Sequence, residues 1–119
     1  MSDLNYDESP HAVRADITAA HRRAWDRLSK PGSWLAGEER VKVMAETRHA
    51  QDCATCAKIK DALSPFAVTV AHDAGTDLAE PWVNMIHLIV ADPGRLTHGW
   101  YRKTIDSGIP ETHFVEIVS

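Results

Sequence analysis

The residues of this 119-residue chain that could do more than pack are two thiols and a scatter of carboxylates and imidazoles. Its only cysteines, Cys53 and Cys56, stand in Asp52-Cys53-Ala54-Thr55-Cys56, one helical turn apart. A thiolate that attacks an oxidant becomes a sulfenic acid, and a second thiol within reach converts it to a disulfide before further oxidation. The CxxC spacing supplies both sulfurs. Asp52 as N-cap would open a helix at the motif, where unsatisfied N–H groups and the positive end of the dipole favour a thiolate. Lys58 and Lys60 add positive potential, and Asp52 opposes it by like-charge repulsion.

Two plainer readings compete. The pair could be half of a zinc site, but no second CxxC and no HxxxH pair completes the usual four ligands. Buried, inert cysteines that pack as small hydrophobes are the other. A purely structural disulfide would stabilise little, because it closes a very small loop.

Thiol chemistry moves protons, so a carboxylate or an imidazole near the sulfurs is expected. Glu46, seven residues before Cys53, falls beside the stripe of Met44 and Ala45; its competing role is an exposed carboxylate pairing with Arg48. His87 stands inside the most apolar stretch of the chain, where its ring must find a hydrogen-bond partner. A backbone carbonyl would serve as well as a thiol. His72, followed by Asp73, is a loop imidazole with a carboxylate next door. His49 could turn toward the motif from the end of the preceding helix, while His11, His21, His98 and His113 are expected in solvent.

Helices must position these groups. Ser9-Pro10 predicts a helix start, with Val13, Ile17, Ala20, Ala24 and Leu28 at helical spacing and Pro31-Gly32 as the stop. Trp34 is expected to anchor the connector against the core. A second helix spans about 38–50, with Glu38 and Glu39 in its first turn and Val41, Met44 and Ala45 buried. The third begins near Asp52 and runs through Leu63 to Ser64-Pro65, placing Cys53, Cys56, Ala57, Lys60 and Leu63 on one side. Phe66 to Ala71 reads as a loop, since a lone strand has no partner. Glu80-Pro81 opens a nearly all-apolar helix through Val90, the expected central element. Asp92-Pro93 launches another to about Ser107, stopped by Gly108, and a last helix covers 111–119.

The chain has the length of one domain, 1–119, with residues 1–8 as an acidic tail that lacks the pattern of a secretory signal. With 17 acidic against 13 basic residues, and no basic cluster interleaved with aromatics, nucleic-acid binding has no compositional support. No apolar run reaches a membrane span, so a cytoplasmic protein with reduced thiols is expected. The fold class is all-α.

The succession Leu35-Ala36-Gly37-Glu38-Glu39-Arg40-Val41, Ala45-Glu46-Thr47-Arg48, Cys53-Ala54-Thr55-Cys56, Ala62-Leu63-Ser64-Pro65, His72-Asp73, Ile86-His87-Leu88-Ile89-Val90 and Asp92-Pro93-Gly94-Arg95-Leu96 resembles the alkylhydroperoxidase D-like, or carboxymuconolactone decarboxylase-like, superfamily, especially its peroxidase-related branch. That resemblance implies a bundle of about six helices, a homo-oligomer (trimer or hexamer), and reduction of hydroperoxides through the CxxC pair at the expense of an external thiol or protein reductant. It assigns attack to Cys56 and resolution to Cys53, without cofactor or metal. Relatives commonly extend beyond the point where this chain ends. The best-known form of the motif has a glutamate twelve residues before the first cysteine and a histidine four after the second; Val41 and Lys60 stand there instead. Glu46, His72 and His87 are therefore the candidates for the proton relay. The expectation is a thiol-dependent peroxidase, against the alternative of a non-catalytic oligomer that binds a ligand, or a metal through the cysteines with His72 or His87. Decarboxylase or lactone chemistry, a third option, has no use for a dithiol.

Overall fold

The computed structural model describes residues 4–64, 68 and 70–119, and among these the fold is all-helical. Six helices follow in order: α1 (Ala15–Leu28), α2 (Gly37–Ala50), α3 (Ala54–Asp61), α4 (Glu80–Ala91), α5 (His98–Asp106) and α6 (Glu111–Val118). A 3-10 turn, Pro93–Arg95, lies between α4 and α5. Among the described residues no helix is long and apolar enough to cross a membrane.

The centre is α4, as its composition predicts, with Val83, Met85, Ile86 and His87 buried. Proline in its first turn leaves no helical donor wasted, because the first N–H groups have no partner there. It packs chiefly on α2 and then on α3. Leu35, Ala50, both cysteines and Ile109 complete the buried apolar set among the described residues, and Glu46, Thr55 and Thr104 are buried with them. Each large apolar side chain withdrawn from water in this way contributes roughly 1.5–3 kcal/mol.

Two contacts fix the helices that carry chemistry. A box at the start of α2, in which the Ala36 N–H donates to Glu39 Oε1 at 3.0 Å, sets where that helix begins. Arg95 reaches back from the 3-10 turn to the far end of α3, donating to the carbonyls of Ile59 (2.7 Å) and Ala62 (3.3 Å) while Asp92 holds its Nε at 3.1 Å. Carbonyls at a helix end have acceptor capacity to spare, Ile59 taking the Ala62 N–H as well, and a guanidinium also complements the negative end of the dipole. Glu116 of α6 similarly accepts from the N–H groups of Trp34 and Leu35, tying the last helix to the connector before α2.

Several expectations give way to tertiary context. Helix α1 starts at Ala15 rather than at Pro10, because Ser9 folds onto His11 in a local turn, donating to its carbonyl and accepting from its N–H. Its apolar stripe is not buried in the chain: Ile17 and Leu28 stay exposed, and no α1 residue is buried. Trp34 does not anchor the core but is 57 % exposed, lining with Trp25, Leu28, Met44 and Val115 a groove of about 700 Å³. Asp92-Pro93 produces only the 3-10 turn; the hydroxyl of Thr97, accepting from the Trp100 N–H, caps a separate α5. Gly108 does end α5, at φ 110°, a conformation that suits glycine. Helix α3 ends at Asp61, two residues early, so Leu63 is fully exposed instead of sharing the cysteine face. Pro65, and Phe66, Ala67 and Thr69 of the expected loop, fall outside the described residues, and Val68, Val70 and Ala71 carry no regular structure.

Arg95→Ala should destabilise the protein by roughly 2 kcal/mol, the scale of hydrogen bonds made by a charged donor. Urea unfolding measures it, and faster amide exchange confined to the end of α3 would place the loss at that helix terminus.

Candidate functional site

Both cysteines sit at the start of α3, but Cys53 itself is the N-cap, in extended backbone, and Asp52 lies outside, exposed to solvent. The motif thus opens the helix one residue later than expected. Cys53 and Cys56 are only 3 % and 5 % exposed. They border a cavity of about 300 Å³ with Ala50, Ala57, Lys60 and Val90.

Glu46 is fully buried, contrary to the picture of an exposed helix carboxylate, while Ala45 beside it faces solvent. The buried face of α2 is therefore Glu46 and Ala50, with Val41 and Met44 only partly covered. Its charge is compensated from two directions. His87 Nε2 donates to Oε1 at 2.7 Å, the Thr76 hydroxyl to Oε2 at 2.8 Å, and the Gly75 N–H to Oε2 at 3.0 Å and Oε1 at 3.2 Å. Burial pushes the carboxyl up, but the His87 contact first, then Thr76 and Gly75, outweigh it and leave it below the ordinary glutamate range. Gly75 is required at this spot. A Cβ there would come within 2.5 Å of the His49 ring, and any retreat would pull its N–H off the carboxylate.

The Glu46 contact also decides the tautomer of His87. With Nε2–H committed to the carboxylate, the neutral ring offers its Nδ1 lone pair, and Cys56 Sγ lies 3.3 Å from that atom. A line of contacts thus runs Glu46, His87, Cys56, all buried. His87 is a buried histidine as expected, but its ring bonds a carboxylate and a thiol in place of a backbone carbonyl. His72, half-buried on the loop, places its Nδ1 at 3.3 Å from Cys56 Sγ and 3.7 Å from Cys53 Sγ. Burial, helped by repulsion from His87 and opposed by Glu46, holds its imidazole below the ordinary histidine range. Two ties seat that loop: the Thr55 hydroxyl donates to the Ala71 carbonyl at 2.9 Å, and the Asp73 N–H donates to Cys53 Sγ at 3.4 Å.

The two thiols are driven apart electrostatically. Burial pushes Cys53 up, yet the backbone N–H of Cys56, the N–H of Asp73 and the Cys56 thiol more than offset it, so Cys53 lies below the ordinary cysteine range. Cys56 is pushed up to about 12, by burial first and then by the hydrogen bond and charge of Cys53. Of the two sulfurs, Cys53 is thus the one whose surroundings favour a thiolate and Cys56 the one whose surroundings favour a thiol.

The structure thus brings together all five candidates, Cys53, Cys56, Glu46, His72 and His87. His49 stays out of the cluster; it is held near Asp73 at 3.4 Å and packs on Gly75. His113, expected in solvent, is half-buried with its ring edge-on to Trp82, whereas His11, His21 and His98 are exposed. What sequence reasoning missed is the support beneath the candidates: Gly75 and Thr76 under Glu46, and the Asp73 N–H on Cys53. The one sequence signal was the turn-forming run Asp73-Ala74-Gly75-Thr76, directly after the candidate imidazole.

Glu46→Ala should cost roughly 1–3 kcal/mol near neutral pH, since it leaves the buried His87 ring and the half-buried Thr76 hydroxyl without their acceptor. Because the folded carboxyl titrates below its unfolded value, its contribution is complete above the ordinary glutamate pKa and is lost as pH falls through the depressed one. Urea unfolding of both proteins as a function of pH should show the difference narrowing in acid.

Compared with family models, with curated proteins and with solved structures, the chain finds no match in any of the three.

Proposed function

We propose that this chain is a dithiol oxidoreductase that reduces hydroperoxides through a Cys53/Cys56 disulfide cycle. The observation that carries the reading is the buried line Glu46, His87, Cys56, ending beside a second thiol held at a helix N-terminus. An inert pair of packed cysteines has no need of a base oriented by a carboxylate. The family resemblance of the residue succession supports a hydroperoxide as the oxidant. It also supports an alkylhydroperoxidase D-like arrangement and a homo-oligomer, to which the apolar groove beside Trp34 and Val115 offers surface. An external thiol reductant restores the dithiol, and the cytoplasm is the proposed setting, because a reducing pool keeps the pair available.

In this reading Cys53 attacks, the reverse of the order the resemblance implies. Its thiolate takes the outer oxygen of the peroxide, the O–O bond breaks, and the alkoxide leaves as an alcohol after taking a proton from solvent. Cys53 is then a sulfenic acid. Cys56 next gives its proton to His87 Nδ1 while Glu46 stabilises the resulting imidazolium. The Cys56 thiolate attacks the Cys53 sulfur, the S–O bond breaks, and His87 returns the proton to the departing hydroxide. Two thiols and one hydroperoxide become a disulfide, an alcohol and water. The glutamate and histidine of the best-known motif are thereby replaced by Glu46, five positions after Val41 on the same helix, and by His87 on α4.

Mass measurement before and after mild peroxide treatment tests the cycle. The wild-type protein should lose two hydrogens as the disulfide forms. Cys56→Ser should gain oxygen at Cys53 and over-oxidise, and Cys53→Ser should react slowly. The opposite pattern would move the attack to Cys56, and no disulfide in the wild-type protein would end the proposal. Alkylation of Cys53 followed against pH should rise with a midpoint below that of a free cysteine, while Cys56 stays unmodified until alkaline pH.

A further inference from the structure

Four of the five candidate side chains also make a complete ligand set for a different reactant. Cys53 Sγ, Cys56 Sγ, and one ring nitrogen each of His72 and His87 all lie within 4.8 Å of one another. In a tetrahedral zinc site, bonds of about 2.3 Å to sulfur and about 2.0 Å to nitrogen put neighbouring ligand atoms roughly 3.3–3.8 Å apart. Cys56 to His72 and Cys56 to His87 are already 3.3 Å, and Cys53 to His72 is 3.7 Å. The ligands come from three separate segments, the start of α3, the loop at residue 72, and α4. That is why no linear motif signals them and why the search for a second pair in sequence fails.

The surroundings match what a bound cation needs. A histidine ligand usually donates its other ring N–H to a carboxylate, which fixes its tautomer and strengthens it as a donor; His87 Nε2 on Glu46 is such a contact. Cys53 receives the Asp73 N–H, the kind of bond that steadies a metal-bound thiolate. Two thiolates with two neutral imidazoles suit a borderline-soft divalent ion over magnesium or calcium, which prefer oxygen.

We propose that the reduced chain binds one zinc ion through Cys53, Cys56, His72 and His87, and that the ion and the peroxide cycle exclude one another. The second half rests on the dithiol reading; the first does not. With the ion in place, His87 Nδ1 has no lone pair for the Cys56 proton, and both sulfurs are committed. Excess hydroperoxide reverses this. It oxidises the two thiolates to the disulfide, its O–O bond is reduced to an alcohol and water with two protons from solvent, and the Zn²⁺ ion departs unchanged in charge.

Titrating the reduced protein with Co²⁺ tests the site, because a tetrahedral sulfur and nitrogen environment gives intense visible bands. One equivalent should bind and be displaced by Zn²⁺, and zinc should protect both thiols from alkylation. His72→Ala, a half-buried loop position, should keep the fold and weaken binding at least about tenfold, and Glu46→Gln should weaken it about 10–100-fold by acting through His87. Absence of the bands in the folded reduced protein, or binding that His72→Ala leaves untouched, would overturn the proposal. A zinc indicator added during peroxide treatment reads release. Disulfide formation in a protein that never bound zinc would remove the metal site and leave the redox cycle standing, whereas tight zinc binding with no disulfide at any peroxide level would do the opposite.

Discussion

A carboxylate withdrawn from water must be met by donors, and Glu46 is the point on which the rest of this site hangs. Its donors come from α4 and from the loop at 75–76, so the one charge ties three parts of the chain together. Packing of α2 on α4 brings Glu46 and His87 into register, and the carboxylate then sets which nitrogen of that ring carries hydrogen. From that follows the lone pair aimed at Cys56. The same contact seats the loop, and with it His72 above both sulfurs.

The sulfur pair gains its asymmetry from position along one helix. Cys53, as N-cap, meets N–H groups that have no helical partner, whereas Cys56, a turn further in, meets imidazoles and the apolar flank of α4. A thiolate is favoured by donors and a thiol by acceptors. The two residues are thus suited to opposite protonation states although only two positions separate them. Such a division is what a two-step exchange needs, one sulfur charged at the outset and the other charged only when called on by its base.

Local signals were legible because their causes are local. The apolar run of α4, the proline at its start, Gly108 at φ 110° and the helix-opening cysteines each depend on a few adjacent residues. Burial was less legible, since it depends on what the fold lays alongside. Glu46 and Ala45 exchange their expected places because the phase of α2 is set by α4, not by its own weak stripe. The stripe of α1 and the ring of Trp34 carry the composition of core residues, yet among the described residues no segment buries them. Ser9-Pro10 has the residue types of a helix start, but a serine that bonds its own neighbourhood can as readily stabilise a turn. The five site candidates could be named from residue type; their meeting could not, because loop 72–76 closes on α3 through backbone groups that any sequence would supply.

That loop is also the adjustable member of the cluster. Glu46, His87 and Cys56 are held by helices and by one another, whereas His72 is half-buried and seated by two ties, Thr55 to Ala71 and Asp73 to Cys53. The second of these ends on Cys53 Sγ, the sulfur whose charge would change in the proposed cycle. A thiolate at Cys53 strengthens the Asp73 N–H bond, and a disulfide sulfur, neutral and a weak acceptor, weakens it. In the proposed cycle, oxidation would loosen that tie and leave the Thr55 and Glu46 contacts of the loop in place. A single N–H would in that case couple the state of the pair to the position of the imidazole that lies beside both thiols.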